Sequence, residues 1–261
     1  MALIADALHN FSDVIALILA FAARKISRRP ADERMSFGYG RVEVVAALVN
    51  YTTLIVLSLH LIYEGILRFA NPHPIDGWMV VWIAAIALVI DLVTAALTYS
   101  MSKDSMNIRA AFVHNISDAL GSVAVIVAGT LVILKGWVWV DPVVTLMIAG
   151  YILWHVKSEV GGVVRVLMLG APEGLDAQEV ITAVRAVPGV SDLHHLHLWQ
   201  MQEHDAAIQA HIVIKPGSWG QADAIKTQIK AQLADQFGIK HSTLEMECAA
   251  HVCDGAPLIG H

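Results

Sequence analysis

Two short segments of the chain repeat a histidine and an aspartate at the same spacing. His9 and Asp13 bracket the first segment, and His114 and Asp118 bracket the second. On a helix, positions i and i+4 lie on one face, so each imidazole projects beside its carboxylate. Two such helices side by side would present two nitrogen and two oxygen ligands, a set that suits a tetrahedral divalent metal and above all zinc. The repeated pair therefore predicts a metal site between two helices.

The segments that carry these pairs are apolar enough to span a membrane. The 261 residues are 56% hydrophobic and only 15% charged, whereas soluble domains carry about 25% charged residues. Because a span needs about 20 apolar residues, five segments qualify: 2–23, 42–67, 75–101, 107–134 and 138–160. An ionisable side chain inside a span is costly and indicates function. We therefore expect an all-α polytopic membrane domain in a lipid bilayer. The net charge of −6 argues against a nucleic-acid partner.

The basic residues predict the orientation of these spans. They concentrate between the first and second segments and recur after the third and the fifth, whereas the other loops carry few. The positive-inside rule places the basic loops and the C-terminal region in the cytoplasm. Five spans then leave the N-terminus outside, against a basic loop, so we expect the chain to lack the first helix of a six-span bundle.

Four further ionisable residues in the spans have less specific interpretations. Asp6 shares the helical stripe of the first histidine–aspartate pair, as a charge near a helix end or as a lid. His60 and Glu64 also stand at i and i+4, but a position near a helix end explains them without a special role. Asp91 lies in the middle of the third segment, where two roles are open: relaying protons or bracing another helix.

The composition changes near residue 171, which predicts two domains, 1–170 and 171–261. Capping, alternation and amphipathic signals predict the order α-β-β-α-β, a small open α+β sandwich. Its elements are a helix at 176–187, strands at 190–200 and 206–215, a helix at 220–237 and a strand at 241–248. The glycines and proline of residues 255–260 predict a loose tail.

This second domain is rich in residues that bind metals. Strict alternation places His195 and His197 on one face of the first strand and His194 on the other, while Glu245 and Glu247 share a face of the last strand. The two cysteines lie close together near the C-terminus and suggest metal binding or reduced thiols rather than a disulfide framework. The candidate ligands are His194, His195, His197, His204, His211, His241, Glu245, Glu247, Cys248, His251 and Cys253.

Taken together, these segments resemble the cation diffusion facilitator family of divalent-metal/proton antiporters, particularly its zinc-preferring bacterial branch. The resemblance covers nearly the whole chain and is carried by residues 5–13, 37–43, 105–118, 194–199 and 241–247. It implies a six-span membrane domain, a metallochaperone-like cytosolic domain and a homodimer in the inner membrane. It also implies a transport site and a cytosolic metal site. The transport site would be formed by His9, Asp13, His114 and Asp118. The cytosolic metal site would be formed by His194, His211, Glu247 and His241.

The favoured function is a secondary transporter that exports zinc, and also cadmium, cobalt or nickel, from the cytoplasm in exchange for protons. Zinc would be both the transported and a regulatory ion, and the protein would not be an enzyme. Zinc binding needs neutral imidazole and ionised carboxylate, so it weakens as the pH falls. The absence of thiolates from the spans disfavours Cu(I). Two alternatives use the same site: a membrane metal sensor, and an intramembrane metalloenzyme with Asp6 as its base.

Overall fold

The computed structural model describes residues 17–70, 77–137, 139–253 and 255–260. The chain divides into two compact units, of which the first ends at Val164 and the second runs from Arg165 to the C-terminus.

The first unit consists of long helices. Helix α1 is described over residues 17–27 and is followed by α2 (Arg41–Ala70), α3 (Gly77–Ser102), α4 (Met106–Lys135) and α5 (Val140–Leu167). Stretches of four of them are long and apolar enough to cross a membrane: Arg41–Ala70, Val81–Ser102, Met106–Lys135 and Pro142–Leu167. They correspond to the second to fifth predicted spans, and most of the first predicted span lies outside the described residues.

Side-chain size separates the inside of this helical unit from its outside. Large apolar side chains such as Val56, Ile86, Leu97 and Trp154 are exposed, which is expected of surfaces that face lipid. Many of the buried positions hold alanine: Ala20, Ala23, Ala46, Ala47, Ala110, Ala111, Ala128 and Ala149. In lipid the hydrophobic effect does not drive helices together, so they associate through close packing. Small residues allow the helix backbones to approach closely enough for it. The pattern confirms a helical membrane domain.

One carboxylate joins three helices at the end of the unit that carries the basic residues. Glu43, in the first turn of α2, accepts hydrogen bonds from the Ser27 hydroxyl of α1 at 2.5 Å and from the hydroxyl of Ser105, just before α4. The Arg24 guanidinium lies 3.9 Å from the same carboxylate. Glu43 and Ser105 belong to two of the segments that carry the family resemblance, so residues distant in sequence meet here.

A second set of polar contacts fixes the start of α4 against its neighbours. Glu159 of α5 accepts a hydrogen bond from the Arg109 guanidinium at 2.6 Å and one from the Tyr51 hydroxyl of α2 at 3.4 Å. The buried amide of Asn107 donates to the Ala20 carbonyl of α1 at 2.6 Å. The first turn of α4 is therefore held directly by α1 and α5, and α2 joins this network through Glu159.

These contacts also show that α1 and α4 run antiparallel. Ser27 is linked through Glu43 to Ser105, whereas Ala20 packs against Ile108 and Ala111. Moving back along α1 therefore corresponds to moving forward along α4.

The second unit has the predicted order of elements. It contains α6 (Ala177–Arg185), β1 (Val190–Gln202), β2 (Asp205–Ile214), a single 3-10 turn, α7 (Ala222–Phe237) and β3 (His241–Cys248). The sheet order is β1-β2-β3, with β1 and β2 antiparallel and β2 and β3 parallel. Asp176 caps α6 as predicted, since its carboxylate accepts the Gln178 amide at 2.8 Å. The α+β fold is confirmed.

Both helices contribute to one hydrophobic core against the sheet. As the alternation predicted, the core side of β2 is formed by Ile208, Ala210, Ile212 and Ile214. Val180, Ile181 and Val184 of α6 and Ile225, Ile229 and Leu233 of α7 cover them. His211 is not part of this core, because alternate residues of a strand point to opposite faces.

The predicted alternation is wrong in the middle of β1, because the strand contains a bulge. His194 pairs with His211 and His197 with Gln209, so residues 195 and 196 both lie opposite one residue, Ala210. His195 has a φ of 48°, in the left-handed region. A bulge of this kind inserts one residue and redirects the side chains around it. As a result, the rings of His194 and His195 lie side by side, 5.2 Å apart between centroids, instead of on opposite faces.

The prediction of a loose C-terminal tail is also wrong. The backbone of residues 257–260 pairs with β1 at the bulge, where the amide of His195 donates to the Pro257 carbonyl at 3.0 Å and that of Leu196 to the Leu258 carbonyl at 3.1 Å. The Gly260 amide returns a bond to the Leu196 carbonyl at 3.2 Å, and Leu258 packs against the core. The tail therefore covers part of an edge strand that would otherwise leave these backbone groups unpaired.

The bulge makes His195→Val and His195→Asn unequal. Both variants remove the imidazole, but asparagine tolerates a positive φ whereas a β-branched residue is strained there. Strain of this kind costs about 1–3 kcal/mol. We expect the β1 and β2 amides of the valine variant to exchange with deuterium about 5- to 150-fold faster than in the asparagine variant. Equal exchange in the two variants would show that the backbone at residue 195 is not strained.

Candidate metal centres

The second histidine–aspartate pair lies on one buried stripe of α4. The Nε2 atom of His114 is 3.3 Å from an Asp118 carboxylate oxygen, and the two side chains are 5% and 15% exposed. The spacing therefore brings imidazole and carboxylate together as predicted. The residues expected to face them, His9 and Asp13, lie outside the described residues, as does Asp6.

Asp91 of α3 reaches the same stripe of α4. The hydroxyl of Ser122 lies 3.5 Å from an Asp91 carboxylate oxygen, and Ser122 follows Asp118 by one helical turn. Asp91 is therefore placed against α4, one turn beyond the pair. The apolar sequence around Asp91 contained no signal for this neighbour, because the contact depends on how two helices pack.

Sequence reasoning also missed two buried polar residues of α2. Asn50 and Ser58 are 3% and 1% exposed. Neither side chain is titratable, so a pattern of ionisable residues does not include them. The Asn50 amide nitrogen and the Ser58 hydroxyl have no hydrogen-bond partner among the residues that the structure describes. Such groups are expensive in a helical bundle, so they mark polar positions inside it. His60, in contrast, is exposed and lies beside Glu64, which also binds Arg68 at 2.8 Å on the same helix.

Four side chains converge on the face of the sheet opposite the helices. One ligand atom each from His194, His211, Glu247 and Cys253 lies within 4.8 Å of all the others. The Nδ1 atom of His211 is 2.6 Å from one oxygen of Glu247, and the Cys253 thiol is 3.5 Å from that oxygen. Parallel pairing of β2 and β3, which aligns His211 with Glu245, brings the acidic residues of β3 beside this histidine.

Two buried atoms of this cluster lack a hydrogen-bond partner within the described part of the chain. They are Nε2 of His194 and the second carboxylate oxygen of Glu247, which lie 3.2 Å apart. Both residues are more than nine-tenths buried, and buried polar atoms without a partner are costly. Ligand atoms around a tetrahedral zinc ion lie about 3.3–3.8 Å from one another, given zinc–ligand bonds of about 2.0–2.3 Å. The donor set and its spacing therefore fit zinc with small side-chain adjustments.

Hydrogen bonding shifts two ionisation equilibria in the cluster. Burial raises the pKa of Glu247, but the hydrogen bonds from His211 and Cys253 and the nearby histidine charges outweigh it and hold this pKa below its usual value. The hydrogen bond to Glu247 raises the pKa of the Cys253 thiol. The carboxylate is therefore ionised at neutral pH, as a metal ligand must be.

The other candidates in this domain are placed less centrally. The Nδ1 atom of His195 is 2.9 Å from the Gly260 carbonyl oxygen, beside the cluster. Glu245 is exposed, 3.3 Å from Nε2 of His211. His241 pairs with Ala207 at the start of β3, four residues or about 13 Å along the strand from Glu245, so the structure does not bring it to the cluster.

The fold and these sites define a class of protein: a helical membrane protein with an α+β domain, each part carrying a constellation suited to a divalent metal. Residues 1–168 match the cation efflux transmembrane domain, and residues 172–249 match the cytoplasmic domain of the cation efflux protein. The chain belongs to this cation efflux family, which confirms the resemblance inferred from the sequence.

Curated relatives agree over most of their own length. The chain is 35% identical to the cadmium, cobalt and zinc/H(+)-K(+) antiporter of Bacillus subtilis, covering 99% of this chain and 84% of that protein. It is 33% identical to the metal cation efflux system protein CzcD of Cupriavidus metallidurans, covering 100% and 82%. It is 34% identical to the zinc transporter ZitB of Escherichia coli, covering 95% and 79%.

Among solved structures, the metal-bound C-terminal domain of the CzcD transporter is 32% identical, with a TM-score of 0.27; the match covers 28% of this chain and 99% of that one.

Family membership makes the protein a multi-pass membrane transporter for metal efflux with a cytoplasmic C-terminal domain. It is not an enzyme, which removes the metalloenzyme alternative.

Proposed function

We propose that the protein exports zinc from the cytoplasm in exchange for protons, through a site formed by His9, Asp13, His114 and Asp118. The observation that carries this proposal is the buried histidine–aspartate pair of α4. A titratable pair inside a membrane bundle is energetically costly, so its presence there indicates a function. Relatives named as zinc transporters and as an antiporter of cadmium, cobalt and zinc support zinc as the principal cargo.

Helix pairing supports the contribution of α1. Ala20 packs against Ala111 where α1 and α4 run antiparallel. Asp13 precedes Ala20 by seven positions, and Asp118 follows Ala111 by seven. At a rise of 1.5 Å per residue, Asp118 stands about 10 Å from this contact along α4, and a helical first span would give Asp13 the same offset in the same direction. The two histidine–aspartate pairs are therefore expected at the same depth.

Proton exchange follows from the chemistry of the ligands. Zinc binds neutral imidazole and ionised carboxylate, so binding displaces protons and protonation displaces zinc. The reference pKa of histidine, about 6.5, lies between the pH values that a pH gradient can impose on the two sides. Acidification on the outer side therefore favours release of zinc there, and the site returns protonated.

The cytosolic domain is proposed to bind a regulatory zinc ion through His194, His211 and Glu247 and to mediate a homodimer. The convergence of these three ligands on one face of the sheet supports the metal site. The match of residues 172–249 to the cytoplasmic domain of the cation efflux protein supports the dimer. Zinc bound to paired domains would bias the arrangement of the spans, since a ligand stabilises the state that it binds more tightly.

The test of this proposal is zinc uptake by proteoliposomes that contain the purified chain. We expect uptake to rise severalfold when the vesicle interior is more acidic than the outside, so that protons leave as zinc enters, and to fall towards the liposome background when the gradient is collapsed. A fluorescent zinc indicator and a pH indicator inside the same vesicles report the two fluxes together.

Each result has a distinct meaning. Zinc flux that does not depend on the pH gradient would retain transport and contradict proton exchange. Zinc binding without zinc flux would contradict zinc as the transported ion. Empty liposomes and liposomes that contain Asp118→Ala provide the controls for leak.

A further inference from the structure

We propose that the thiol of Cys253 is the fourth ligand of the cytosolic zinc site, so that the segment after β3 is part of that site. This inference rests on the regulatory site proposed above and adds a ligand and a coordination type to it. Nothing in the C-terminal sequence alone selects this cysteine over Cys248, since both lie near histidines. The geometry makes the selection.

Cys253 is exposed and lies next to the buried carboxylate of Glu247. Its sulfur is 3.5 Å from the Glu247 oxygen that also contacts Nδ1 of His211 at 2.6 Å. The two buried atoms that lack a hydrogen bond, Nε2 of His194 and the other Glu247 oxygen, belong to residues of the same four-residue group. A cation among these four side chains would coordinate both atoms, which approach each other at 3.2 Å without forming a hydrogen bond.

Cys248 has different surroundings. Its sulfur is 3.0 Å from Nδ1 of His251, and it lies at the end of β3 beside a cavity of about 410 Å³ lined by Lys215, Trp219 and Ala249. It is not a member of the four-residue group. The chain thus carries a matched pair of cysteines, one in the cluster and one outside it.

A fourth protein ligand changes what the site can do. Four ligands from one chain form a closed tetrahedral site, which is typical of structural zinc, whereas three ligands leave a position open for water. When zinc binds, the thiol loses its proton to solvent and the thiolate coordinates the metal. Cys253 precedes the tail that pairs with β1 beside His194, so zinc binding and the docking of the tail support each other.

Cobalt provides a direct probe, because a cobalt–thiolate bond gives a charge-transfer absorption that nitrogen and oxygen ligands do not give. The purified full chain in detergent is titrated with Co²⁺ and then with Zn²⁺. The two cysteines are the only thiols in the 261 residues, so the band reports on this domain alone. We expect the band in the natural sequence and in Cys248→Ser, its loss on addition of zinc, and its absence in Cys253→Ser. Its absence from the natural sequence, or its persistence in Cys253→Ser, would overturn the proposal.

Zinc affinity and thiol reactivity separate this proposal from the site on which it rests. In a His114→Ala background, Cys253→Ser should weaken cytosolic zinc binding at least about 10-fold, the lower end of what loss of even an outer-shell partner costs. Zinc should slow alkylation of Cys253 but not of Cys248, as measured by mass spectrometry. If Cys253→Ser binds zinc normally while His211→Ala does not, the regulatory site stands and the thiol ligand is wrong. If His211→Ala also binds normally, the regulatory site itself is wrong.

Discussion

Zinc transport is expected to fall to the liposome background when His114 is replaced with alanine. The substitution leaves Asp118 as the ligand on α4, and three ligands in a dry bundle hold the ion poorly. Loss of an outer-shell partner already costs about 10- to 100-fold in metal affinity or activity, so loss of a direct ligand should exceed that. The measurement is initial zinc uptake by proteoliposomes containing equal amounts of monodisperse protein.

The helical unit supplies a matched control for this substitution. His60 forms the same kind of i, i+4 pair, 3.6 Å from Glu64, but its side chain is 61% exposed. His60→Ala therefore removes an imidazole beside a carboxylate without touching the bundle interior. We expect this variant to transport zinc at the natural rate. Full transport by His114→Ala, or an equal loss in both variants, would contradict the assignment of the α4 pair.

The contrast between these two pairs shows what the sequence predicts in a membrane domain. Both have the spacing of a metal site, and the spacing alone places imidazole beside carboxylate because a helix repeats every 3.6 residues. Repetition of one pair in two apolar segments favoured His114 over His60. The contact of Asp91 with the same stripe, in contrast, depends on the packing of α3 on α4, which no local pattern encodes.

In the cytosolic domain, local patterns predicted the order of elements and the core face of β2, because alternation and capping are local effects. They failed at His194 and His195, where the strand does not alternate. A bulge inserts one extra residue into the strand. Whether it forms depends on the backbone pairing that the neighbouring strand and the tail provide, so the sequence of β1 alone does not reveal it. The metal cluster depends on this irregularity, since it brings neighbouring histidines to the same region of the sheet.

Glu247→Ala is expected to remove most of the zinc affinity of the cytosolic domain. One oxygen of Glu247 contacts His211 and the other lies against His194, so the carboxylate bridges both imidazoles and supplies their only buried negative charge within the described cluster. A zinc concentration of 100 times the Kd stabilises a folded protein by about 2.7 kcal/mol. We expect zinc to raise the unfolding temperature of the domain in a His114→Ala background, and Glu247→Ala to abolish that rise.

Glu245→Ala is the matched control, because it removes the same side chain two residues earlier on the same strand. Glu245 also approaches His211, at 3.3 Å, but its side chain is 64% exposed whereas that of Glu247 is 7% exposed. An exposed carboxylate is well screened by water and contributes little, whereas a buried one beside two imidazoles is needed to neutralise the ion. Glu245→Ala should therefore retain the zinc-dependent rise in unfolding temperature. Equal effects of the two substitutions would mean that zinc binds by general acidic attraction at the surface of β3 rather than in the buried cluster.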